Sequence, residues 1–395
     1  VRLFYLIAVI FLLSLNLRPS ITSVGPLLDI IQTDLGMSGV TASLITTLPV
    51  FCMGLFALFS ITLSQRFGLE RSLLVAMVMI FAATAYRVLV LDSVSLLVTA
   101  LISGIGIGIA GPLLSGFIKK YFPGKPGAAS IYSVSLVIGA AIASSLSIPL
   151  FTALGQSWQY SLCVWALLAV LAAAALLPLA KQKAGKSAAP VPKLRIKSGR
   201  MIASMLFFGC MSSMFYMITA WLAPLVQAAG MSHAQSGLVL TLFTIIQIPV
   251  SFLIPVIVSR TGNRNRWLFT CALAELVGIA LLLVHASPWL ATVFLGIGAG
   301  GLFPLALLIP IEEADSAQEA TSWSAVMQFG GYMLGSLGPV LIGLAVDLFG
   351  DFTFALVAML VIIGCLLLAI SKLGPRQKEK HQAAPHAAGR EEAVR

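Results

Sequence analysis

Charge is what this sequence has least of. Asp and Glu number 14 and Lys and Arg 24 among 395 residues, so 10% of the chain is charged against 59% hydrophobic. A soluble chain this apolar could not cover its surface with polar groups, which leaves embedding in a membrane. Cysteine is sparse too. Cys52, Cys163, Cys210, Cys271 and Cys365 all fall inside apolar runs without CxxC spacing, which reads as packed free thiols and argues against a disulfide framework or a metal site. The glycine-rich stretches lack a strand before and a lysine after, so they are not phosphate loops. No cofactor and no metal are expected, and without a nucleotide-binding domain in this sequence direct ATP drive is not expected.

What the sequence does have is apolar runs of about 20 residues, the length that crosses a hydrocarbon core of about 30 Å as helix. Twelve are expected, at 3–27, 40–63, 72–91, 95–117, 127–150, 159–180, 200–223, 235–258, 267–286, 289–311, 321–345 and 353–372. Runs this long without alternation do not suit a lipid-exposed barrel. The first is too long for the apolar region of a signal peptide and reads as a retained helix.

Basic residues set the expected orientation. If the chain starts inside, 22 of the 24 Lys and Arg fall in cytoplasmic segments; the other two, Arg18 and Arg87, lie within helices. That is the positive-inside asymmetry of a chain with both ends in the cytoplasm. The basic residues are dispersed over separate short loops, so nucleic acid is not an expected partner; the lipid bilayer is.

The stretch "LAKQKAGKSAAPVPKLRIKSGR" interrupts the apolar pattern and reads as a cytoplasmic linker. The expected organisation is a six-helix bundle at 1–180, a linker at 181–199, a second six-helix bundle at 200–372 and a polar tail at 373–395. The halves align weakly. Gly36-Met37-Ser38 matches Gly230-Met231-Ser232 at an offset of 194, and "GIGIGIAGP" matches "GIGAGGLFP" at an offset of 192.

Six plus six helices, a basic central loop and both ends inside resemble the major facilitator superfamily. That resemblance implies an all-α membrane protein of two pseudo-symmetric bundles that rock about a midplane site, with the first, fourth, seventh and tenth helices lining the cavity. "SQRFGLERS" resembles the superfamily's loop between helices two and three at Arg66, Gly68 and Arg71, with Gln65 in place of the usual aspartate. "NLRPSITSVGPLL", "LITTLPVFCMG", "GIGIGIAGPLLSGFIKKYFP", "YMITAWLAP" and "MQFGGYMLGSLGP" are similar to the cyanate permease subfamily, which also contains a 2-nitroimidazole exporter. The resemblance implies a secondary, alternating-access transporter of a small polar or anionic solute in a bacterial inner membrane, acting as a monomer and not as an enzyme. A multidrug or small-compound exporter of the same fold and, from another class, an intramembrane enzyme are the competing readings.

Arg18 lies roughly 22 Å along the first helix, where a guanidinium costs on the order of 3 kcal/mol on insertion scales. Its planar fork suits a carboxylate, nitro group or small anion, so it is the leading substrate contact; a structural role tying helix one to carbonyls elsewhere is the alternative. Tyr216, Gln247 and Gln328 are further substrate-contact candidates, because a glutamine or tyrosine in hydrocarbon needs a partner. Glu275 is the sole carboxylate expected near a membrane centre and hence the candidate for proton coupling. Arg87 and Asp92 read as a snorkelling interfacial pair. The loop after helix four is basic and that after helix ten is acidic, which predicts that Lys119 or Lys120 pairs with Glu312 or Glu313 when the inner mouth closes.

Overall fold

The computed structural model describes residues 2–37, 39–123, 127–181, 199–349 and 352–373. Lys125, most of the expected linker and the tail from 374 onward lie outside the described residues. All the regular structure described is helical. Ten helices are long and apolar enough to cross a membrane: Arg2–Leu27 (span 1), Leu69–Leu89 (span 3), Ser93–Tyr121 (span 4), Gly127–Ala153 (span 5), Trp158–Ala180 (span 6), Gly199–Ala228 (span 7), Gln235–Thr261 (span 8), Arg264–Leu283 (span 9), Pro288–Glu313 (span 10) and Thr353–Lys372 (span 12). Span 2 is a bent pair, Leu44–Ala57 and Phe59–Phe67, with 55° between its parts. Span 11 is broken as well, into Ala317–Gly335 and Gly338–Phe349. Among the described residues ten helices, or eleven with the bent pair, thus match the expected apolar runs as candidate spans. The apolar pattern did not show the short helix Leu28–Asp34, which lies between spans 1 and 2.

Glycines set how closely these helices approach, and the two halves use them alike. A Cβ on Gly104 would lie 2.5 Å from the Pro49 Cα and 3.0 Å from the Cys52 Cβ; one on Gly108 would lie 2.8 Å from the Met53 Cα. Span 4 therefore rests directly on the backbone of span 2. In the other half, a Cβ on Gly296 would lie 2.9 Å from the Ile246 Cβ and one on Gly300 2.8 Å from the Gln247 Cα. Span 10 meets span 8 at the positions that correspond, at the offset of 194, to Cys52 and Met53. Small residues permit this approach, and dispersion between close backbones then holds helices together where lipid offers no hydrophobic contrast.

Arginines close the basic ends of the helices in a parallel way. Arg71 donates from Nε to the Ala180 carbonyl at 3.2 Å, at the end of span 6, and Arg264 donates from Nη2 to the Leu373 carbonyl at 3.4 Å, just past span 12. A cation at a helix C-terminus satisfies an orphan carbonyl and complements the helix dipole.

Candidate functional site

Span 1 does not run straight past Arg18. Pro19 has no N–H, and its ring crowds the carbonyl four residues back, that of Leu15. The helix Arg2–Leu15 stops there, and Pro19–Thr22 restarts it with Arg18 at the N-cap. The released Leu15 carbonyl points at Gly139 of span 5, where no side chain stands in its way. Asn16 is buried, and its Nδ2 donates to the Met77 Sδ at 3.3 Å, which ties the break to span 3. Asn16, Arg18 and Pro19 of the "NLRP" element thus act together: one opens the helix, one anchors it, and one projects a charge.

The charge projects across the molecule. The Arg18 guanidinium carbon lies 5.7 Å from the centre of the Phe215 ring on span 7 and 5.8 Å from that of Phe303 on span 10, both in the other half. Cation–π contact stabilises a desolvated guanidinium while leaving its in-plane N–H edge free for an acceptor. Tyr216, Tyr332 and Tyr132 are the polar side chains within electrostatic range. The Tyr216 hydroxyl is buried beside the guanidinium, yet it makes no hydrogen bond of normal geometry. Among the described residues no carboxylate pairs with Arg18.

Arg18 opens onto a small cavity lined among others by Met53, Gly111, Tyr132, Gln328 and Tyr332. Gln328 donates from Nε2 to the Ser324 Oγ at 2.8 Å, and a Cβ on Gly111 would stand 2.7 Å from its Oε1. A second small cavity is lined wholly by residues of the C-terminal half. Its lining, which includes Trp221, Ile279, Phe352 and Met359, is apolar throughout, so it offers nothing to a polar solute.

Three of the four expected substrate contacts therefore converge: Arg18, Tyr216 and Gln328. Gln247 does not join them. Its Nε2 donates to the Phe243 carbonyl of its own helix at 3.0 Å, and its backbone packs on Gly300. A glutamine one turn from that carbonyl satisfies itself locally, which removes the reason to assign it to the cavity. Tyr132, Phe215, Phe303 and Gly111 were not among the expected contacts. Tyr132 alone carried a usable signal, a hydroxyl-bearing ring in the middle of an apolar run. The lining also departs from the first-fourth-seventh-tenth pattern, since spans 2, 5 and 11 contribute Met53, Tyr132, Gln328 and Tyr332.

Glu275 lies away from this cavity. It is buried at the face where span 9 meets span 10, against Gly298, and its Oε2 has no hydrogen-bond partner. Arg87 and Asp92 are not the expected pair. Asp92 is exposed and caps span 4, accepting from the Ser95 N–H at 2.8 Å, whereas Arg87 is 0% exposed and turned into the protein.

At the basic end, where Lys119 or Lys120 is expected to meet Glu312 or Glu313, Lys119 lies within electrostatic range of Glu312, while the ion pairs in direct contact are others. Lys120 pairs with Glu70 at 2.5 Å, Glu313 with Arg200 at 2.5 Å, and Glu312 with Arg264. Each pair stays within its own half, because each loop's charge complements the start of span 3, 7 or 9 beside it. The halves do meet there by other contacts. Lys119 donates from Nζ to the Ile311 carbonyl at 2.9 Å, and Ser115 donates to the Ser324 Oγ at 3.0 Å. A Cβ on Gly116 would lie 2.8 Å from the Ala317 carbonyl. Spans 4, 10 and 11 thus touch across the molecular midline at the basic end.

This arrangement has a family. The model of the Major Facilitator Superfamily matches residues 4–336. The chain belongs to that superfamily. Among curated relatives in this superfamily, the cyanate transport protein CynX of Escherichia coli is 30% identical over 352 residues, covering 88% of this chain and 91% of its own. The 2-nitroimidazole transporter of the same organism is 31% identical over 384 residues, covering 95% and 96%. YycB, a transporter of Bacillus subtilis, is 31% identical over 377 residues, covering 92% of each chain. Among solved superfamily structures, the proton:xylose symporter XylE superposes with a TM-score of 0.76 at 13% identity, covering 93% of this chain and 94% of its own. FucP in the outward conformation gives 0.71 at 14% identity, with 94% and 99% covered. At that identity the likeness is one of fold. The major facilitator superfamily consists of transporters, and this member is a multi-pass membrane protein that carries a small solute by secondary transport.

Proposed function

We propose that this superfamily member carries a small anionic or nitro-bearing solute through the Arg18 cavity by alternating access. The observation that carries the reading is a guanidinium from span 1, without a carboxylate counter-ion, set against aromatic rings of spans 7 and 10. A ligand bound there touches both halves, so its binding biases their relative position, as rocking transport requires. Charge-assisted hydrogen bonds from the guanidinium edge favour an anion or nitro oxygen, and the flanking rings favour a flat solute. Of the solutes in the names of two relatives, cyanate meets the first condition and a nitroimidazole meets both.

The contacts of Lys119, Ser115 and Gly116 join the halves at the basic end, which we assign to the cytoplasmic side of a bacterial inner membrane. Glu275 is our candidate for the proton-coupling carboxyl. It packs against Gly298 of span 10, the helix whose Phe303 flanks Arg18. Tyr216 and Gln328 complete the substrate contacts. An intramembrane enzyme would need several acids, histidines or metal ligands on one face, and the described residues contain no group of three that could hold a metal.

Uptake of cyanate, 2-nitroimidazole and small carboxylates into proteoliposomes, with and without a proton gradient, tests the proposal. We expect saturable uptake of at least one of these that falls sharply in Arg18→Gln. Unchanged transport by that variant would make Arg18 structural and sink the site. Chemical turnover of a solute by the purified protein would favour the enzyme reading.

A further inference from the structure

The Arg18 guanidinium belongs to span 1 of the N-terminal half, yet both rings in cation–π contact with it belong to the other half. Phe215 on span 7 and Phe303 on span 10 stand at 5.7 and 5.8 Å from ring centre to guanidinium carbon. Phe215 meets Tyr216 edge to face, with ring centres 5.4 Å apart, and packs on Phe243 of span 8 at 6.3 Å. Its ring is thus held from within the C-terminal half. Phe303 packs against the main hydrophobic core, on a helix that Gly296 and Gly300 seat against span 8. The contact between cation and rings therefore spans the two bodies that transport has to move.

Net transport by rocking halves needs two passages per cycle, one with solute and one without it. Between the two orientations both ends are closed, and a charge at the midline is cut off from bulk water. A cation sealed in that way without a compensating group is costly, and a guanidinium cannot shed its proton. A bound anion offsets the cost on the loaded passage. On the other passage the fold has to compensate the charge itself. A carboxylate could do so, but it would compete with an anionic solute. Among the described residues no carboxylate pairs with Arg18, and the polar groups in electrostatic range are Tyr132, Tyr216 and Tyr332. An aromatic face attracts a cation more weakly than an anion does, so it leaves the N–H groups available to a solute.

We propose that Phe215 and Phe303 are positioning residues that carry the Arg18 charge through the solute-free passage, so that this protein moves its solute in net flux and is not restricted to exchanging one solute for another. The inference rests on the reading of the Arg18 cavity as the transport site. The passage uses the quadrupole of each ring and not its bulk, since an aliphatic side chain of similar size fills the same space without attracting a cation. Loss of the rings leaves a carrier that crosses readily only when an anion accompanies Arg18.

The test uses the full chain in proteoliposomes, with labelled cyanate and labelled 2-nitroimidazole as probes. Net efflux into probe-free buffer is compared with exchange at equal concentration on both sides. The wild type should show both fluxes. Phe215→Leu combined with Phe303→Leu should lower the ratio of net efflux to exchange about tenfold, the effect of losing cation–π contact at a desolvated site. Phe215→Tyr combined with Phe303→Tyr keeps both ring faces and should hold the ratio near that of the wild type. Exchange without net efflux in the wild type overturns the proposal. So does an unchanged ratio in the leucine variant, or an equal drop in the tyrosine variant. If neither probe crosses in either mode, the transport reading of the cavity fails and this inference falls with it. Should the leucine pair not fold, Phe303→Leu against Phe303→Tyr decides by the same ratio.

Discussion

Glu70 and Arg264 stand at equivalent corners of the two halves and carry opposite charge. Glu70, at the start of span 3, receives Lys120 of span 4 at 2.5 Å and the Tyr121 hydroxyl at 2.7 Å. Arg264, at the start of span 9, pairs with Glu312 of span 10. The duplicated fold has kept the contact and exchanged its signs. In the N-terminal half a second residue, Arg71, caps the end of span 6, whereas Arg264 also reaches the Leu373 carbonyl beyond span 12. The basic loop after span 4 and the acidic loop after span 10 thus have a local cause.

This relationship predicts a rescue within one half. Glu70→Lys should weaken transport and lower the melting temperature, and Glu70→Lys with Lys120→Glu should restore both. The Lys120 side chain is 46% exposed, so the pair contributes on the order of 0.2–1 kcal/mol. The effect of the single change is expected to be modest. Combining Lys120→Glu with Glu312→Lys should give no rescue, because those residues are not partners. Rescue by that cross-half pair in uptake assays would restore the original expectation.

Arg18→Lys keeps the charge and loses the planar fork. A hydrogen bond to a charged group contributes about 1.5–3 kcal/mol, so transport efficiency should fall roughly 10- to 100-fold in Arg18→Lys and further in Arg18→Gln. Circular dichroism and melting temperature should stay near wild type if Arg18 serves the solute. A large loss of stability in both variants would mark a structural role.

Gly111 leaves the room over Gln328 that the cavity needs. Gly111→Leu would drive a side chain into the Gln328 amide, since even a Cβ would stand 2.7 Å from its Oε1. We expect loss of solute binding, measured by titration calorimetry, with destabilisation of about 1–3 kcal/mol from overpacking. Normal affinity in a folded Gly111→Leu protein would place the solute elsewhere.

Glu275→Gln preserves shape and removes a titratable group. If Glu275 couples transport to protons, accumulation driven by a pH gradient should vanish while exchange of labelled for unlabelled solute continues. Accumulation that still follows the gradient would assign coupling to another group. The isosteric amide fits the notch at Gly298, so misfolding is not expected to mask the result.

The pattern of residues along the chain located the apolar spans, their arrangement as two similar halves and the break in span 1 at the "NLRP" element. Each of these rests on local physics: the length of an apolar run, a proline's missing N–H, the placement of lysines and arginines. The close contacts of Gly104 with Gly108, and of Gly296 with Gly300, were foreseeable as small faces; which helix each meets was not. Partners across helices were decided only by the tertiary structure. Gln247 and Gln328 are indistinguishable in sequence, each a lone amide in an apolar run, and each donates one turn back along its own helix, yet only Gln328 lines the cavity with Arg18. Arg87 and Asp92 invited pairing by proximity, but the 3₁₀ turn at Arg87 sends its side chain inward while Asp92 caps the next helix. Lys120 and Glu312 carried complementary charge, and the packing of each half on itself supplied nearer partners. A helical pattern specifies a side chain's neighbours one turn away; which helix lies opposite depends on how all the spans pack together.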